Sequence, residues 1–82
     1  MTWEYRVVRY VRGGEETLEI HEVFYDVAGA IELWSPLSSS PGGETLEELV
    51  ADLALMRAAT DRPVLERAEL PGLSEEDANS RW

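Results

Sequence analysis

Two adjacent glycines, Gly13 and Gly14, separate two runs of alternating side chains, and this arrangement limits the possible folds more than any other feature of the chain. Trp3, Tyr5, Val7, Arg9 and Val11 fall on one side of an extended segment, and Glu4, Arg6, Val8, Tyr10 and Arg12 on the other, the period of a β-strand. Glycine tolerates the positive φ angles of a tight hairpin, so residues 17 to 25 are expected to return antiparallel to the first strand. With the two glycines as the loop, Val7 falls opposite Ile20, Trp3 opposite Phe24 and Arg9 opposite Leu18. A slip of one residue would exchange the two faces, so the turn decides which side chains meet.

A second turn at "DVAG" leads into "AIELWS", which predicts a third strand with Ile31 opposite Phe24. The segment "SPLSSSPGG" is rich in serine, proline and glycine and reads as a loop that carries the chain across the sheet. It has no lysine and no phosphate-binding glycine spacing.

The stretch "GGETLEELVADLALMRAAT" then opens a helix. Thr45 and Glu48 form a capping box: the hydroxyl accepts from an orphan backbone N–H and the carboxylate reaches back to the cap residue. Glu47 and Glu48 in the first turn, and Arg57 and Arg62 at or beyond the other end, suit the helix dipole. Leu46, Leu49, Val50, Leu53 and Met56 recur at helical spacing, with Leu53 at the centre of the stripe. That stripe is expected to cross the sheet face carrying Trp3, Val7, Ile20, Phe24 and Leu33. Pro63 ends the helix, because proline disfavours helical geometry in the residue ahead of it.

The stretch "PVLERAEL" supplies a candidate fourth strand. Residues 1–69 are therefore expected to form a single α+β domain of β-β-β-α-β order, a three-stranded antiparallel meander with one helix packed on one face. Residues 70–82 are expected to form an acidic C-terminal tail that frays. Eighty-two residues are near the lower size at which one apolar core suffices, since such a chain buries only about 60% of its unfolded surface.

Seven basic residues against seventeen acidic ones give a formal charge of −10. Such a charge repels phosphate backbones and anionic lipid, and suits a basic protein partner. The chain has no cysteine, which removes disulfides and thiolate chemistry and points to the cytoplasm. The opening "MTWEYRVVRY" mixes charges and aromatics without the apolar run expected of a signal peptide, and no segment approaches the roughly 20 apolar residues of a membrane span.

His21 is the only histidine, so a histidine pair on a metal is excluded. It is expected at an exposed strand position. Glu15 with Glu16, and Glu75, Glu76 and Asp77, lack the spacing of a calcium loop. Arg9 and Glu22 fall at the margin of the apolar face as a candidate ion pair. No catalytic residue, cofactor or metal is expected.

The opposite sheet face gathers Val8, Tyr10, Val23, Tyr25 and Trp34 among Glu4, Arg6, His21 and Glu32. It is more aromatic than a face meant only for water, and these five residues are the candidate interface. Two coverings suit it: another protein chain, or the C-terminal segment with Leu70, Leu73 and Trp82 folding back.

The helix opening Gly43, Glu44, Thr45, Leu46, Glu47, Glu48, following a strand meander and a loop, resembles HicB-type antitoxin domains. The resemblance implies part of a ribonuclease-H-like fold without its catalytic carboxylates. It also implies a function, neutralising a small basic ribonuclease toxin by binding it. The other function classes suited to the composition are a homodimeric domain and a stand-alone acidic inhibitor or DNA mimic of a nucleic-acid-binding protein.

Overall fold

The structure is a computed structural model that describes residues 2–71. Strands β1 (Thr2–Arg12), β2 (Glu15–Tyr25) and β3 (Ile31–Trp34) precede helix α1 (Leu46–Ala59), and a short strand β4 (Leu65–Glu66) runs into a 3-10 turn, Arg67–Glu69. The sheet order is β3-β2-β1-β4. β1–β2 and β2–β3 pair antiparallel, and β4 runs parallel to β1. This is the expected α+β fold with β-β-β-α-β order.

Gly13 and Gly14 turn the hairpin with φ of 56° and 84°, left-handed values that a residue with a Cβ adopts only with strain. The resulting register is the expected one, with Val7 opposite Ile20, Trp3 opposite Phe24 and Arg9 opposite Leu18. The second turn is organised by Asp26, whose Oδ1 accepts from the N–H groups of Ala28 and Ala30 at 2.9 and 3.0 Å.

β3 departs from the expected register. Leu33 pairs with Phe24 and Ile31 with Tyr25, so Ile31 is not opposite Phe24. The extra residue, Glu32, makes a bulge, and Ile31 joins the face that carries Trp34. Beyond β3 the serine-rich loop follows the edge of β2. Ser35 N–H donates to Glu22 O at 2.9 Å, Glu22 N–H to Ser35 Oγ at 3.1 Å, and Ser39 N–H to Ile20 O at 2.8 Å.

Thr45 caps α1, its hydroxyl accepting from Glu48 N–H at 3.1 Å. The Glu48 carboxylate reaches back one residue further than expected and accepts from Glu44 N–H at 2.8 Å. The loop comes so close here that a Cβ on Gly43 would lie 2.7 Å from Glu48 Cβ. At the other end Thr60 Oγ1 donates to Arg57 O at 2.7 Å, and the helix closes before Pro63.

The helix packs through only part of the expected stripe. Met56 is buried with Ala59 against Tyr5, Val7 and Ile20, and Leu49 is half-buried, whereas Leu46 is 75% exposed, Val50 56% and Leu53 47%. A polar contact accompanies this orientation. Asp52 accepts from Tyr5 Oη–H at 2.6 Å and from Gly42 N–H at 3.0 Å, which holds its side of the helix against the sheet. Met56 and Ala59 follow Asp52 on that side, while Leu46, Val50 and Leu53 lie roughly 100° round the helix. Much of the sheet face beneath is therefore open, with Trp3, Leu18 and Leu33 exposed.

The candidate fourth strand shortens to Leu65–Glu66, because the chain turns at Arg67–Glu69 and tucks Leu70 into the core. Leu70, assigned to the tail by its sequence, thus belongs to the folded domain. The rest of that tail, with Leu73, the acidic run at 75–77 and Trp82, lies outside the described residues.

Candidate functional site

β-strand parity divides the sheet into an aromatic face and a helix face, and the structure treats them oppositely to their polarity in the sequence. Val8, Tyr10, Val23 and Trp34 do converge on the aromatic face, with Tyr25 packed against them, but all four are buried within the chain. Val8 and Val23 are 0% exposed and Trp34 is 1%. Leu70 packs on them, the Trp34 indole N–H donates to Pro71 O at 2.9 Å, and the Arg67 guanidinium lies 5.2 Å from the Trp34 ring centre. Val8, Tyr10, Val23 and Trp34 are core and offer a partner no surface in this fold, while Tyr25 is half-buried. Of the two coverings that suit the face, the described chain supplies the second through Leu70, because the 3-10 turn after β4 reverses the chain over it.

His21 also departs from expectation, being fully buried and not exposed. Its Nδ1 lies 2.8 Å from Ser35 O, and because a carbonyl can only accept, Nδ1 carries the proton. Nε2 stands 3.1 Å from Tyr10 Oη and 3.3 Å from Glu19 Oε1. A serine, a histidine and a carboxylate thus stand together, although sequence reasoning singled out only the histidine. Glu19, two residues before His21 on the same strand face, was legible from parity; Ser35, delivered by the loop after β3, was not. Ser35 Oγ already donates to Leu37 O and accepts from Glu22 N–H, both at 3.1 Å. With both ring nitrogens and the hydroxyl occupied, the group closes the core as a hydrogen-bonded plug. Among the described residues no cluster of histidine, cysteine or carboxylates is arranged to hold a metal ion.

The other end of the aromatic face is closed by charge. Tyr25 Oη–H donates to Glu4 at 2.6 Å, Arg6 donates to Tyr25 Oη at 3.0 Å and to Pro63 O at 2.8 Å, and Arg62 pairs with Glu4 at 3.2 Å. Burial, then the hydrogen bond to Glu4, raises the Tyr25 phenol above its ordinary pKa.

The free surface is the helix face. The end of α1 rests on Tyr5 and Val7 as a ridge with a cleft beside each residue. One cleft, about 170 Å³, lies among Trp3, Tyr5, Leu55, Ala58, Ala59 and Arg62. The other, about 320 Å³, is floored by Val7 and Ile20 and bordered by Leu18, Glu19, Thr60 and Val64. The Tyr5–Asp52 contact fixes the ridge. Its hydrogen bond first, and burial second, push the Tyr5 phenol up to about 12. Arg9 does not pair with Glu22. It donates through Nε to Glu66 at 2.9 Å and through Nη1 to Glu16 at 3.2 Å. The bonds from Arg9 hold the Glu66 carboxyl below its usual range.

No protein-family model matches the chain, and comparisons with curated proteins and with solved structures return no match.

Proposed function

We propose that this chain is a protein-binding module for a cationic partner, acting through its helix face. The observation that carries the reading is the state of its cations. The chain has no lysine. Every arginine among the described residues is already engaged by its own chain: Arg6 and Arg62 with Glu4, Arg9 with Glu16 and Glu66, Arg57 with Asp61, Arg12 over the Tyr10 ring and Arg67 over the Trp34 ring. Glu15, Glu32, Glu44, Glu47 and Glu69 are exposed and have no cation partner among the described residues. A phosphate backbone or anionic membrane thus meets negative charge, whereas a basic protein is attracted and oriented.

Exposed apolar side chains on the helix face supply the contact that charge alone cannot. The committed hydroxyl of Ser35 favours binding over hydrolysis as the role. Within this reading, the strand meander and the capped helix at Thr45 support a HicB-like antitoxin that occupies a small basic ribonuclease. The test is affinity purification of the chain from its host at low salt, with stepwise salt elution. A basic protein released as salt rises is expected. A stoichiometric acidic partner, or one held equally at every salt concentration, would refute a cationic partner.

A further inference from the structure

We infer that the cleft floored by Val7 and Ile20 receives an apolar anchor side chain from a lysine- or arginine-bearing segment of another protein. The inference rests on the protein-binding reading and adds the place of contact and the chemistry of the segment. Leu18 and Val64 stand on the rim with 59% and 42% of their surfaces in water. The Thr60 hydroxyl donates to Arg57 O and accepts from the Arg57 guanidinium, so both its roles are taken within the chain. At about 320 Å³ the cleft can take a large side chain.

Carboxylates outnumber cations beside this mouth: Glu16 and Glu66 share the single guanidinium of Arg9, which stands opposite Leu18 in the sheet, whereas Asp61 is paired with Arg57 and the Glu19 carboxylate turns to His21. A second copy of the chain would bring the same acids face to face, with its described arginines already bound at home. A segment that flanks its anchor with basic residues meets the excess negative charge of Glu16 and Glu66 and the net −10 of the chain, so the occupant is cationic and heterologous.

Fluorescence anisotropy with a labelled amphipathic helical peptide of lysine and leucine tests this, beside a lysine–serine peptide of equal charge and a glutamate–leucine peptide of equal apolar content. The lysine–leucine peptide is expected to bind most tightly and to weaken with salt. Leu18→Ser and Val64→Ser should each loosen it roughly fivefold to tenfold without lowering the melting temperature, while Leu37→Ser, in an exposed loop, should leave it unchanged. Salt-sensitive binding indifferent to Leu18→Ser and Val64→Ser, or equal binding of the lysine–serine peptide, overturns the cleft and leaves a cationic partner standing. Preference for the glutamate–leucine peptide, or no binding of either lysine peptide, overturns both. A dimer in sedimentation that Leu18→Ser dissolves makes the occupant a second copy and overturns the heterologous assignment.

Discussion

Truncating Met56 and Leu53 separately reads out which side of α1 holds the fold. Met56 is 6% exposed and packs with Tyr5, Val7 and Ala59. Met56→Ala removes buried apolar atoms and leaves a cavity, a change that costs about 2–5 kcal/mol. Leu53 has 47% of its surface in water. Full burial of such a side chain is worth about 1.5–3 kcal/mol, so Leu53→Ala should cost roughly 1 kcal/mol, with no enclosed cavity to add. In a domain of this size each kcal/mol moves the melting temperature by about 4–8 °C. Thermal melts followed by far-ultraviolet circular dichroism should therefore fall by roughly 10 °C or more for Met56→Ala and by only a few degrees for Leu53→Ala. Equal losses, or a larger one for Leu53→Ala, would mean that the helix presents its hydrophobic stripe to the sheet and that the helix face is closed.

The aromatic face gives the converse expectation. Trp34→Glu places a charge where the native side chain is 1% exposed, and should cost at least about 3–5 kcal/mol. The cooperative melt should be lost, and a folded Trp34→Glu monomer would show that the face is not core. Thr45→Ala removes the hydroxyl that accepts from Glu48 N–H and should cost about 1 kcal/mol in urea unfolding, and an unchanged midpoint would discount the cap. The Tyr5 phenol rises from 10.0 to about 12 on folding. Its contribution is thus complete below pH 10 and is lost as pH climbs toward 12. Wild-type melting temperature should fall more steeply over that window than that of Tyr5→Phe, and parallel curves would count against the Asp52 contact.

What could be read from the residues and what could not divides along local and long-range causes. The β1–β2 register follows from Gly13, Gly14 and strand parity, and α1 begins at its capping box and ends before Pro63 because those signals act within a few residues. The rotation of α1 was hidden. It accompanies the meeting of Asp52 with Tyr5, a polar pair 47 residues apart that no local signal announces. The Glu32 bulge hid Ile31 in the same way, by changing its face without changing the strand's composition. Val8, Tyr10, Val23, Tyr25 and Trp34 were correctly gathered on one face by parity. Whether that face was surface or core depended on the reversal at Arg67–Glu69, which brings Leu70 over it.

The most direct measurement is a nuclear magnetic resonance titration of the isotope-labelled chain with the lysine–leucine peptide, reading backbone amides and methyl groups together. A cationic segment seated on the helix face should shift Leu18, Ile20, Thr60 and Val64, while Val8, Val23 and Trp34 stay in place beneath Leu70. Shifts centred on Val8, Tyr10, Val23 and Trp34, with the cleft residues unmoved, would contradict both the sealed aromatic face and the binding role of the helix face.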